Sequence, residues 1–215
     1  HPRFLVAATA GLLLALAFPL PGWSGCAWFA PGLLFAAGVG LRPGEAFRTG
    51  YIFGLIHFLV SLGWLLHIPF PAGAFAGWLA LSAYCALYPA IWLWLLLRWC
   101  QVQCPPPGQA WRHAMREITS RPWASRAGIA LAAGVLWVAM EMVRARWLSG
   151  FPWNPLGSVW EATGTFGDIM IQPASIVGVH GLTVVTVLIA ALPSRGWRAA
   201  AVGIACLLPW AGWGT

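Results

Sequence analysis

The chain has 215 residues, 60% of them hydrophobic and 8% charged, with a mean hydropathy of +0.76. A soluble domain carries about a quarter charged residues, so this composition excludes an ordinary water-soluble globule and predicts an all-α, polytopic membrane helix bundle. All twelve basic residues are arginine, and the net charge is +7; spread over short links between apolar runs, they speak for membrane topology and contact with membrane lipids, and against nucleic acid as a partner.

Seven spans are predicted. The first covers residues 4–18, preceded by Arg3 and ended by Pro19-Leu20-Pro21-Gly22; no small-x-small cleavage site follows, which argues against a signal peptide. The second, residues 26–41, leads into the polar link Arg42-Pro43-Gly44-Glu45. The third, residues 49–66, contains Gly50, Gly54, Ser61 and Gly63, small residues that let helices approach closely in lipid. After Pro69, Pro71 and Gly73 comes the longest run, residues 74–97. At about 1.5 Å per residue it is long enough for a hydrocarbon core of roughly 30 Å, and Pro89 is expected to kink it. Residues 98–126 turn polar around Pro105-Pro106-Pro107-Gly108 and predict a cytoplasmic loop with one short interfacial helix at 111–118. The fifth span covers 127–143, the sixth 169–192 and the seventh 198–213, with an outer segment at 144–168.

The arginines orient this arrangement. With the N-terminus cytoplasmic, ten of the twelve fall on inside links, from Arg3 to Arg198. Arg144 and Arg146 alone face outwards, with the chain's last residue, and an arginine that breaks the positive-inside bias implies a structural or functional requirement.

Both belong to the stretch from Glu141 to Gly157, EMVRARWLSGFPWNPLG, which ends the fifth span and turns through Gly150, Pro152 and Pro155. Glu141 and Arg144 are three apart and share a helical face. They either close the span as a structural ion pair or orient a neighbouring segment or lipid headgroup, for which the planar guanidinium is suited. Arg146 lies further towards the interface and is the better headgroup contact. Phe151-Pro152-Trp153 is either an interfacial anchor or the lining of an apolar entrance for acyl chains.

Other chemistry is thinly represented. Cys26, Cys85, Cys100, Cys104 and Cys206 are scattered; Cys100 and Cys104 form a CxxxC with only His113 near, too few ligands for a metal site. His57 and His67 are ten apart and His180 stands alone, so bundle histidines with satisfied hydrogen bonds are expected rather than ligands. Glu161 and Asp168 read as solvated loop acids rather than an acid/base pair. Neither metal nor cofactor is predicted.

Glu141-x-x-Arg144, then Gly150-Phe151-Pro152-Trp153 and Gly157, resembles the signature of the membrane domain of the apolipoprotein N-acyltransferase family. Ala17-Phe18-Pro19, Gly63-Trp64, Tyr84-x-x-x-Tyr88 and Gly178-x-x-Gly181-Leu182 are similar to that family in order and spacing. The resemblance implies a bundle of eight membrane helices in the bacterial inner membrane and a nitrilase-like domain on its periplasmic side. It also implies a Glu-Lys-Cys site in that domain, whose cysteine takes an acyl chain from phospholipid as a thioester and passes it to the N-terminal S-diacylglyceryl cysteine of an apolipoprotein. This chain has no lysine and no βαβ pattern. The expectation is therefore a membrane domain without catalytic residues, inactive alone. It supports lipid and lipoprotein access beneath its own periplasmic catalytic domain, with Glu141, Arg144, Arg146, Gly150, Phe151, Pro152, Trp153 and Gly157 as an entrance or structural motif. The alternative is a small polytopic channel or transporter, disfavoured by the scarcity of ionisable residues within the spans and the lack of repeated halves.

Overall fold

Apolar runs punctuated by proline and glycine leave the backbone no partner in lipid except itself, and helices follow. The computed structural model describes residues 2–19, 21–100, 110–163 and 171–191. Among them every regular element is helical.

Helix α1 (Pro2–Leu16) is followed by a 3₁₀ turn, η1 (Ser24–Trp28), and a nine-residue helix, α2 (Ala30–Gly38). The expected second span is therefore broken. Pro31, with no N–H, suits the first turn of a helix and not its interior, so the α-helix restarts there. Helix α3 (Pro43–Ser61) begins earlier than its apolar run because Pro43 opens it and the Glu45 carboxylate accepts the Arg42 N–H at 3.2 Å. It ends in a second 3₁₀ turn, η2 (Gly63–His67).

The longest run forms two helices, α4 (Pro71–Cys85) and α5 (Leu87–Cys100). The break falls one turn before Pro89, whose ring cannot coexist with a regular bond to the carbonyl of Cys85. Helix α6 (Ala110–Ser120) buries Ala114 and Ile118 and exposes Arg112 and Arg116. Helix α7 (Trp123–Arg144) leads to the 3₁₀ turns η3 (Trp147–Ser149) and η4 (Leu156–Thr163), and α8 (Ala174–Ala191) follows, broken at Gly178 where φ is 67°.

Four helical stretches among the described residues are long and apolar enough to cross a membrane: Pro43–His67, Pro71–Cys100, Trp123–Arg144 and Ala174–Ala191. Pro2–Leu16 and Ser24–Gly38 are apolar but shorter. The expected run at 198–213 lies outside the described residues.

Helix α3 packs between α1 and α5, while α7 packs against α5 and α8. These approaches are close because of glycine: a Cβ at Gly11 would meet the Phe53 carbonyl, and one at Gly50 the backbone of Pro89 and Ala90. Between α5 and α7 the filling is aromatic. The Trp92 and Trp137 rings lie edge to face with centroids 4.9 Å apart, and the buried Trp92 indole donates to the Ala133 carbonyl at 2.9 Å.

Candidate functional site

The segment after α7 has to reverse direction at the end of the bundle. Residues Leu148 and Gly150 do this with positive φ, 53° and 77°. At Gly150 a Cβ would strike the Ala145 carbonyl, so the turn excludes any other residue. The Phe151 N–H then donates to the Arg144 carbonyl at 2.9 Å, and the chain lies back across the ends of α7 and α8.

Glu141 fastens that returning segment. Its side chain is 7% exposed, and a carboxylate is tolerated at such depth only with its oxygens occupied. Oε1 accepts the Trp137 indole N–H at 3.1 Å and the Leu156 backbone N–H at 2.7 Å, and Oε2 accepts the Thr183 hydroxyl at 3.1 Å. The Thr183 oxygen in turn accepts the Gly157 N–H at 2.9 Å, and one turn on, the Trp160 indole donates to Thr186 at 2.9 Å. Gly157 is required here because a Cβ would collide with the Val179 carbonyl of α8. One carboxylate thus joins α7, α8 and the returning segment.

The ion pair considered between Glu141 and Arg144 does not form. Among the described residues the group nearest to an ionic contact with Glu141 is His180, whose Nδ1 lies 3.6 Å from Oε2. Arg144 points the other way, 4% exposed, with its guanidinium carbon 5.2 Å over the Phe58 ring of α3. Arg146 is exposed and folds back towards the Met142 carbonyl at 3.4 Å.

Phe151 packs beside Phe58, Leu62 and Cys85 and stacks at 6.1 Å on Trp153. Trp153 is 40% exposed and lies 5.2 Å from Trp64 of η2, itself 45% exposed. Pro152 is exposed beside them. With Trp147, 62% exposed, these residues make an aromatic edge along the rim. Tyr84 reaches the same rim, its hydroxyl paired with that of Tyr88 and 3.4 Å from the Trp147 carbonyl.

The eight motif residues therefore divide. Glu141 and Gly157 form the buried fastening, Gly150 is the turn, Phe151, Pro152 and Trp153 form the edge, and Arg144 and Arg146 serve neither. Thr183, Thr186 and Trp137 were not anticipated. Two threonines three apart on a mostly apolar helix, and a tryptophan four residues before Glu141, are the signals that point to them. His57 is buried, 3% exposed, and His67 and His113 are exposed. Cys100 is buried; Cys104, Cys206, Asp168 and the Glu161 side chain lie outside the described residues. Among the described residues no three His, Cys, Asp or Glu side chains gather to hold a metal.

Residues 10–192 match the family model described as the apolipoprotein N-acyltransferase N-terminal domain. The chain is 34% identical over 189 residues to an apolipoprotein N-acyltransferase of Geobacter metallireducens, covering 84% of this chain and 30% of that protein. Bordetella bronchiseptica and Caulobacter vibrioides proteins of the same name are 32% and 31% identical over 97% of the chain, which covers 39% and 37% of their lengths. The chain thus spans between 30% and 40% of the length of these relatives.

Proposed function

Because the chain belongs to the apolipoprotein N-acyltransferase family, matching its N-terminal domain, we propose that it is the membrane part of an enzyme that moves an acyl chain from phospholipid to the N-terminal S-diacylglyceryl cysteine of lipoproteins. In this reading seven spans cross the bacterial inner membrane with the N-terminus cytoplasmic and the rim at 144–168 periplasmic. A thioester mechanism with a Glu-Lys-Cys set needs a lysine, and this chain has none, so the chemistry is placed in a periplasmic catalytic domain and this chain alone is inactive. Its own work is to hold the rim: the fastening at Glu141 fixes the edge formed by Phe151, Trp153 and Trp64, over which phospholipid and the lipidated acceptor enter.

The observation that carries this reading is the pairing of a buried support, hydrogen-bonded at both carboxylate oxygens, with an exposed aromatic surface in one stretch of chain. Such surfaces suit amphipathic ligands, whose acyl part lies on rings and whose polar part stays wet. A phospholipid with a photoreactive group near its headgroup tests it in nanodiscs. The peptide containing Trp147 to Trp153 is expected to be labelled more heavily than that containing Ile176 and Val177, which are exposed to a comparable degree on α8. Equal labelling of the two would contradict an entrance at this edge.

A further inference from the structure

Behind the rim, α1, α3, α5 and α7 line a cavity of about 40 Å³. Its walls are largely aromatic, Phe53, Tyr88, Trp92 and Trp137 among them, but His57, Glu141, Arg144 and Asn154 also line it. Three of these are almost shut off from solvent, with exposures of 3% for His57, 7% for Glu141 and 4% for Arg144. His57 Nδ1, Arg144 Nη1 and Asn154 Nδ2 are buried atoms with no hydrogen-bond partner in the protein. Three residues lining one chamber each carry an orphaned polar atom, one of them on a cation, and each such atom is costly unless something beside it answers it.

The chemistry of the walls selects the occupant. Arg144 has no carboxylate within 4.0 Å among the described residues, yet Glu141 lines the same cavity. The cation therefore already has its counter-charge nearby, and an added anion would face the carboxylate across a low-dielectric space. Neutral molecules that accept from Arg144 and Asn154, donate to Glu141 and hydrogen-bond His57 Nδ1 leave these groups satisfied. Glu141 Oε2 holds one hydrogen bond, from Thr183, and retains lone-pair capacity for another. The volume is enough for about three waters, at roughly 10–15 Å³ each. We infer that the chamber is an internal water site in the membrane domain, in which a small ordered cluster bridges Arg144 to Glu141 and hydrogen-bonds His57 and Asn154. The two charges then form a water-mediated ion pair. This site is independent of acyl transfer: it would exist whatever reaction the domain supports.

Pulsed X-ray radiolysis of the protein in nanodiscs, read by mass spectrometry, tests it, because hydroxyl radicals arise from bound water and oxidise the side chains beside it. Met140 and Tyr88 line the chamber, and Trp160, 1% exposed and outside its lining, serves as the dry control. Oxidation of Met140 and Tyr88 is expected several-fold above that of Trp160. On rapid mixing into H₂¹⁸O their label is expected to remain ¹⁶O-rich while that on exposed Trp153 becomes ¹⁸O-rich. In folded H57F or N154L the chamber label should fall. Wild-type protein with Met140 and Tyr88 no more oxidised than Trp160 overturns the inference. So does an ¹⁸O content at Met140 equal to that at Trp153, which would make the chamber an open crevice.

Discussion

Replacing Glu141 by Ala removes the acceptor of three hydrogen bonds, from Trp137, Leu156 and Thr183. Hydrogen bonds to a charged acceptor are worth about 1.5–3 kcal/mol in soluble proteins, whereas bonds between membrane helices average roughly 0.6 kcal/mol. Three bonds on the lower scale give about 2 kcal/mol. The Leu156 N–H, held at 2.7 Å and buried, has no water to turn to and belongs on the higher scale. Arg144 also loses the carboxylate that shares its cavity. The expected cost is about 3 kcal/mol, borne mainly by the returning segment. Since each 1.4 kcal/mol is a factor of ten, amide exchange in the peptide spanning residues 154–160 should accelerate roughly a hundredfold, measured by hydrogen–deuterium exchange mass spectrometry in nanodiscs. The E141Q variant keeps an oxygen for Trp137 and Leu156 and should lose less than half as much. Unchanged exchange in E141A, or equal damage from Gln and Ala, would refute the role given to this carboxylate.

Other substitutions test the remaining contacts. G157A forces a methyl group into the Val179 carbonyl and should cost about 1–3 kcal/mol, seen as a lower thermal midpoint and weaker protection of the same peptide. G150A, at φ 77° against the Ala145 carbonyl, should cost about 1–3 kcal/mol in the same unfolding assay. W92F keeps most of the ring contact with Trp137 but loses the bond to Ala133; a loss of about 1 kcal/mol is expected, and no loss would show that the carbonyl finds another donor.

The sequence carried the helical architecture because lipid permits few alternatives: apolar runs bounded by Pro19, Pro43, Pro71 and Pro122 had to close their own hydrogen bonds. It carried the kink at Pro89 for the same reason, a missing N–H. It did not carry the interruption of the second run, where Pro31 lies inside an otherwise unbroken apolar stretch and tertiary contact of α2 with α1 and α8 decides the outcome. The motif was visible as a cluster, but its internal division was not. Spacing placed Glu141 and Arg144 on one face, yet the partners that draw them apart, Thr183 and Phe58, lie 42 and 86 residues away in sequence. Long-range partners of this kind leave no periodic trace, and only the threonine pair on α8 hints at one of them.

The aromatic edge, in the function proposed for it, acts on substrate and not on stability. The direct measurement is acyl transfer from phospholipid by a full-length enzyme containing this sequence, compared among wild type, W153F and W153A, alongside their thermal midpoints. Trp153 is 40% exposed, stacks on Phe151 and meets Trp64 at a tilt, so W153A should lower the midpoint only modestly, by the loss of these two ring contacts. Its kcat/KM for phospholipid should fall roughly tenfold, the equivalent of about 1.4 kcal/mol, with W153F retaining most of the activity. Wild-type kcat/KM in W153A would contradict the assignment of this edge to substrate entry.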